Sequence, residues 1–263
     1  MTTSSTKVTP TAGLDRAALL LDAFDGPGRL TLAEIVRRTG LPRSSAHRML
    51  ERLVQLRWLR RSGRDYELGM RLFELGSLAV HQDRIHQAAL PFLHELHRRT
   101  GYVVHLAILE GTDVVYLEKI CGRFGMGLPS RVGGRQPAHC TSVGKALLAY
   151  SPQSVVDRVL AAGLQRKTTF SIGSAPQLHA ELGHIRDRGA AFDRGEALTG
   201  VSCVAAPIGT ENNVVGAISV CGPSNQMKLD HRLAAPVRVA AAGAWRALSS
   251  EAMARPSVEH SVA

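Results

Sequence analysis

Between Arg37 and Arg64 the chain carries nine arginines (37, 38, 43, 48, 52, 57, 60, 61 and 64) against a single acid, Glu51. A solvated surface normally mixes both signs, so this run is suited to meeting phosphates. Arg43, Ser44, Ser45, His47, Arg48 and Arg52 lie close together in it, followed by Arg60, Arg61 and Arg64. Small hydroxyl side chains let a helix come close to bases and phosphates, and an arginine can donate two hydrogen bonds to guanine. An ordinary solvated helix face is the competing reading of the same residue types. A second set with possible chemistry is His139, Cys140, Cys203 and Cys221. Zinc or another soft metal would want closely spaced pairs, which these residues lack. A cysteine hydrolase using Cys203 and His139 would need the base within hydrogen-bond reach and an oxyanion hole. Both stay as rival readings, along with a DNA-binding architectural protein that takes no ligand.

The elements that would position the arginines are legible. Leu32 to Thr39 is an amphipathic helix with Thr31 as N-cap, Glu34 three residues later and Gly40 at the C-terminal end. Pro42 opens a second helix, Arg43 to Leu56. At 100° per residue, Ala46, Met49, Leu50 and Leu53 share its inner face, while Ser44, Arg48, Glu51 and Gln55 point outward. Two helices joined by so short a turn form a helix-turn-helix. Trp58 to Arg61, a turn over Ser62 to Asp65, and Tyr66 to Leu68 then form a hairpin wing. Arg60, Arg61 and Arg64 on that wing are expected to meet phosphates. An earlier helix, Leu14 to Phe24, offers Leu14, Ala17, Ala18, Leu21 and Phe24 as its inner stripe.

At 263 residues the chain suggests two domains. The net charge is +10, and 44% of the residues are hydrophobic, enough to fill a core. Widely spaced cysteines, with no signal-peptide core and no membrane-length apolar run, point to a reducing cytoplasm and no membrane. After a linker helix, Gly69 to Val80, the pattern predicts a helix from Arg84 to Thr100 that Pro91 should kink or break. His81, His86, His94 and His97 are expected on solvated or interface faces of these helices. A hairpin follows over Tyr102 to Leu109 and Val114 to Ile120, then a glycine-rich stretch from Cys121 to Arg135. Helices are predicted over Ser142 to Tyr150, from Ser151-Pro152 to Ala162, and over Ala175 to Arg188. A second hairpin, Val201 to Ile208 with Val214 to Cys221, precedes a closing helix from Asp230 to Ser250. Antiparallel hairpins with intervening helices indicate an α+β sensor domain.

These residues resemble the IclR family of bacterial transcriptional regulators over nearly the whole chain. The resemblance rests on Leu41-Pro42-Arg43-Ser44-Ser45-Ala46-His47-Arg48, Tyr66-Glu67-Leu68-Gly69 and Val104-His105-Leu106-Ala107. It continues in Gly144-Lys145-Ala146-Leu147-Leu148-Ala149 and in Gly200 to Ile208. It implies a tail over 1–10, a winged helix-turn-helix over 11–69, a linker helix over 70–82, a GAF-like effector-binding domain over 83–250 and a loose tail over 251–263. It further implies a ligand-responsive repressor or activator that takes no cofactor and binds a pseudo-palindromic double-stranded operator as a homodimer or dimer of dimers. The effector would be a small organic acid or aromatic metabolite. Its pocket would be walled by Phe124, Met126 and Leu128, floored by Ser142 and Val143, and completed by Asp193, Cys203, Ser219 and Cys221. Cys221 stands where many members have serine, and Cys140 where many have alanine.

Overall fold

A computed structural model describes residues 13–26, 28–122 and 127–254, so the predicted 1–10 tail lies outside the described residues. The chain divides into two compact units, residues 1–81 and 82–263.

The first unit opens with α1 (Gly13–Asp22) and β1 (Leu30–Thr31), followed by α2 (Leu32–Thr39) and α3 (Arg43–Gln55). β2 (Leu59–Ser62), β3 (Asp65–Leu68) and α4 (Met70–Gln82) complete it. The capping box at the start of α2 is formed. The Thr31 amide donates to Glu34 Oε2 at 2.8 Å, and the Glu34 amide donates to Thr31 Oγ1 at 3.3 Å. Gly40 closes the helix at φ 68°, where a side chain would be strained, and its amide donates to the Val36 carbonyl at 2.8 Å. The core joins Ile35 from α2, Ala46, Leu50 and Leu53 from α3, and Leu59 and Tyr66 from the wing.

Two expectations change here. β1 pairs with β3, giving a sheet of order β1-β3-β2 rather than a lone hairpin; two residues leave too short a pattern to read in advance. The inner face of α1 is also rotated from its predicted stripe. Leu20 is fully buried and Leu14 is 79% exposed. The helix stops at Asp22, so Ala23 and Phe24 reach the core from a turn rather than in helical phase. α4 buries none of its residues and leaves Met70, Phe73 and Leu78 exposed.

The second unit contains α5 (Arg84–Thr100), β4 (Val103–Glu110), β5 (Asp113–Ile120) and β6 (Arg135–Pro137). A 3₁₀ turn, Ala138–Cys140, leads into α6 (Ser142–Ala149), α7 (Gln153–Ala162) and α8 (Ala175–Arg188). Then come β7 (Ala191–Arg194), β8 (Val201–Thr210), β9 (Asn213–Pro223) and α9 (His231–Ala254). α9 thus runs four residues into the tail predicted from 251, and residues 255–263 lie outside the described set. Asp83 caps α5, which continues through Pro91 without a break. Ala89, Leu93 and Leu96, packed on the sheet to either side of the proline, hold the helix through the missing hydrogen bond.

The two predicted hairpins belong to one antiparallel sheet of order β6-β5-β4-β9-β8-β7, in which β4 lies directly against β9. The pleat sends alternate residues to opposite faces. Val104, Leu106, Val204, Ala206, Ile218 and Val220 pack under α5 and α9. Ala107, Ala205 and Ala217 pack under α6, α7 and α8, where small residues let α6 sit close to the strands. Among the described residues no helix is long and apolar enough to cross a membrane.

Gly144 lies where α6 passes the 3₁₀ turn, and a Cβ there would collide with the Ala138 carbonyl oxygen and Cα. Backbone cannot swing aside as a side-chain tip can. Gly144→Ala is therefore expected to destabilise the fold by about 3 kcal/mol, the upper end of ordinary overpacking. An unchanged midpoint in urea denaturation would count against this close approach.

Candidate functional site

Two places on the chain carry functional side chains, one in each unit. In the first unit α3 turns Arg43, Ser44, His47, Arg48 and Arg52 to solvent, with Ser45 half-buried. The phase follows from burial of Ala46, Leu50 and Leu53 on the opposite side. Leu32, Arg43, Ser44 and His47 line an open hollow at the start of the helix. Small and positively charged groups share this edge, a surface that can approach the floor of a DNA groove.

The wing arginines are not equivalent. Arg61 donates to Glu51 Oε1 at 2.9 Å and lies over the Tyr66 ring, 5.6 Å from its centroid. The Tyr66 hydroxyl donates to the same carboxylate at 3.1 Å. Arg60 and Arg29 both pair with Glu67. Arg64 at the tip is exposed, with no side-chain partner among the described residues. Two of the three predicted phosphate contacts are thus already engaged with acids of their own unit.

In the second unit the sheet face beneath α6 continues past the helix N-terminus into a recess. It encloses about 540 Å³ of space, part of it open to solvent. Leu128, Ser142, Val143, Asp193, Cys203, Ser219 and Cys221, the residues that the family resemblance implied, all line it. Phe124 and Met126 lie outside the described residues. Strand parity brings the strand residues together: 193 on β7, 203 on β8, and 219 and 221 on β9 face the same side, and Cys203 is the cross-strand partner of both Asp193 and Cys221.

His105 and Tyr116 line the recess too and were not among the predicted residues, although His105 belongs to the strand motif already singled out. Its parity with Val103 and Ala107 is the signal that would have found it. His105 Nε2 lies 2.9 Å from Ser130 Oγ, and its Nδ1 lies 3.6 Å from Cys221 Sγ. Its ring stacks obliquely on Tyr116 at 4.9 Å. Burial pushes the Tyr116 phenol well above its ordinary range, so it faces the recess uncharged.

At the helix end Thr141 Oγ1 accepts the Gly144 amide at 3.0 Å, and the Ser142 and Val143 amides head the first turn. Beneath them lies a buried ion cluster. Lys145 is 1% exposed and donates to the Phe192 carbonyl at 2.7 Å and to Glu196 Oε1 at 2.5 Å, with Glu181 Oε1 at 3.6 Å. Asp193 Oδ1 accepts the Glu196 amide at 2.7 Å. Burial foremost, and then the Glu196 charge, push the Asp193 carboxyl up to about 7, although Lys145 opposes this. An uncharged acid therefore forms part of the recess wall below neutral pH.

The rival chemistries fit less well. Among the described residues no group of three or more His, Cys, Asp or Glu side chains is arranged to hold a metal ion. His139 is tied to the Gln165 carbonyl at 3.1 Å, and burial lowers its basicity. It is His105, not His139, that faces a recess cysteine. Cys140 points to the same Gln165 carbonyl at 3.5 Å. His86, expected on a solvated or interface face, is buried and bonds Glu118 Oε2 at 2.9 Å. α5 packs against the sheet, which brings its first turn over β5.

Fold and sites together define a winged helix-turn-helix protein with a separate pocket-bearing domain. The IclR helix-turn-helix domain matches residues 13–63, and the bacterial transcriptional regulator IclR C-terminal domain matches residues 77–244. The transcriptional regulator XynR of Escherichia coli K12 is 36% identical over 214 residues, covering 79% of this chain and 84% of that protein. The transcriptional repressor IclR of the same organism is 29% identical, covering 82% of each. An IclR homolog from Microbacterium hydrocarbonoxydans, solved in complex with 4-hydroxybenzoate, superimposes with a TM-score of 0.80 at 30% identity. That match covers 90% of this chain and 99% of the other. The chain belongs to the IclR family of transcriptional regulators, which bind DNA through this helix-turn-helix.

The raised Asp193 carboxyl makes stability depend on pH. Unfolded, the group ionises near 3.8; folded, it holds its proton to about 7. Its protonation thus contributes stability that is complete below about pH 4 and is lost as the pH rises through 7. Asp193→Asn should lessen the fall in unfolding free energy between about pH 5 and pH 8. Glu196, also raised, leaves part of the slope in place. Urea titrations of both proteins across that range check it, and parallel pH profiles would refute the protonated Asp193.

Proposed function

We propose that this protein is a ligand-responsive transcription factor. In this reading α3 reads a pseudo-palindromic operator, and the recess binds a small organic acid, an aromatic acid being the class that suits it best. The observation that carries the ligand reading is the recess itself. Ser142 and the first amides of α6 form a donor-rich end suited to a carboxylate. Leu128, Val143 and Val201 offer apolar wall for the remainder of the ligand. A protonated Asp193 adds no negative charge to repel an anion. The 4-hydroxybenzoate bound by the Microbacterium hydrocarbonoxydans homolog belongs to this class. Self-association into a homodimer or dimer of dimers is supported by the exposed Met70, Phe73 and Leu78 on α4. Two protomers would set two α3 helices into successive major grooves. An effector that prefers one conformation of the sensor by about 1–3 kcal/mol would shift operator affinity by up to that free energy.

The test is a thermal-shift titration of the full chain with hydroxybenzoates and other small carboxylic acids, since a specific ligand raises apparent stability by mass action. Ser219→Leu should remain folded, retain operator binding and lose that shift, because leucine fills the recess. Circular dichroism is required first, as overpacking itself costs about 1–3 kcal/mol. A shift retained in Ser219→Leu would move the ligand elsewhere, and operator binding with no response to any ligand would favour an architectural role.

On the DNA side, Arg48→Ala removes a solvent-facing group and opens no cavity. It should cost about 1–3 kcal/mol of specific affinity per site. Arg64→Ala should weaken binding to all sequences and reduce the salt slope by about one contact. Arg60→Ala should do so less, because Arg60 is shared with Glu67. Fluorescence-anisotropy titrations at several salt concentrations separate these outcomes. Equal effects at Arg60 and Arg64 would show that the Glu67 pairing does not hold Arg60 back from DNA.

A further inference from the structure

Cys203 and Cys221 are directly opposed on β8 and β9, and both line the recess with 8% and 6% of their surface exposed. Directly opposed residues of an antiparallel pair have Cα atoms about 4.5–5.5 Å apart, within the span a disulfide bridges. The two side chains share a face, since both point into the recess. His105 Nδ1 lies 3.6 Å from Cys221 Sγ and Ser219 Oγ lies 3.8 Å from it, so one thiol of the pair is flanked by a base and a hydroxyl.

We propose that Cys203 and Cys221 form an oxidisable dithiol, with Cys221 the nucleophile toward a small hydroperoxide entering the recess and Cys203 the resolving thiol. His105 takes the Cys221 proton. The thiolate attacks the terminal, hydrogen-bearing peroxide oxygen, the O–O bond breaks, and the other oxygen receives the proton and departs as water or an alcohol. Cys221 is left as a sulfenic acid. Cys203 sulfur then attacks the Cys221 sulfur, the S–O bond breaks, and hydroxide leaves with the Cys203 proton as a second water. The peroxide gains two electrons, and the two thiols lose two electrons and two protons.

The division of roles agrees with the local electrostatics. The hydrogen bond from Cys203 foremost, with those from His105 and Ser219, pulls the Cys221 thiol below the ordinary thiol range against the effect of burial. The complementary interaction with Cys221, together with burial, holds Cys203 above the ordinary thiol range. Thiolate character governs attack on peroxide, and the other groups facing the pair are Asp193 on β7, Tyr116 on β5 and Ser142 on α6. This chemistry does not depend on what effector the recess binds.

The test uses the full reduced chain and hydrogen peroxide, followed by denaturing alkylation and peptide mapping. The expected product has lost the mass of two hydrogens, shows two alkylatable thiols in place of the four present before treatment, and contains one cross-link joining the Cys203 and Cys221 peptides. In Cys203→Ser, dimedone should trap a sulfenic acid at Cys221; in Cys221→Ser, Cys203 should stay unmodified over the same interval. Four remaining thiols, or cross-linking through Cys121 or Cys140, would overturn the proposal. So would dimedone labelling of Cys203 in the Cys221 variant. The wild-type cross-link decides the matter even if either variant fails to fold.

Discussion

The ammonium of Lys145 has almost no access to water, and the ligand-binding half is arranged around that constraint. A buried charge is tolerated only when it is paired and hydrogen-bonded. Glu196 and the Phe192 carbonyl meet the requirement, and both come from the chain around β7. The demand therefore ties α6 to the far edge of the sheet, which fixes where the helix begins. That beginning is the donor-rich end of the recess. The same cluster holds Asp193 under cover beside Glu196, and burial first, then the Glu196 charge, leaves Asp193 protonated to about neutral pH. Helix anchoring and the character of the recess thus have one physical origin.

In the DNA-binding unit the governing balance is between arginines and the few acids among them. Glu51 takes Arg61 and the Tyr66 hydroxyl, and Glu67 takes Arg29 and Arg60. Exposed pairs of this kind contribute little stability. They do set the posture of the wing and leave Arg64 at its tip and Arg43, Arg48 and Arg52 on α3 as the cations facing outward. Formal charge overstates what this surface offers a phosphate, because part of it is already neutralised locally.

Much of this was legible in the residues. The capping box at Thr31 and Glu34, the glycine after α2, the inner face of α3 and the wing follow from local rules of helix ends and period, which neighbouring residues satisfy among themselves. The residues expected in the recess at 128, 142, 143, 193, 203, 219 and 221 do line it. They were named through a family resemblance, however, and not through spacing. Where local rules failed, a neighbour overrode them. Ala23 and Phe24 reach the core from a turn because α1 stops at Asp22, α5 passes Pro91 because the sheet holds both sides, and His86 is buried beside Glu118.

By itself, then, the sequence determined the order of the helices and of the two sensor hairpins, the wing, the inner face of α3 and the excess of positive charge around it, whereas the short strands β1, β6 and β7 left too little pattern to read. These depend on periodicity and on contacts between residues close in the chain. The tertiary structure alone decided that β4 lies against β9, which merges two hairpins into one sheet. That single pairing sets His105 opposite Ser219 and beside Cys221, with Cys203 on the next strand. It also decided which arginines remain free of acids. Both outcomes rest on contacts between residues far apart in sequence, and no local pattern encodes the distance at which such groups meet.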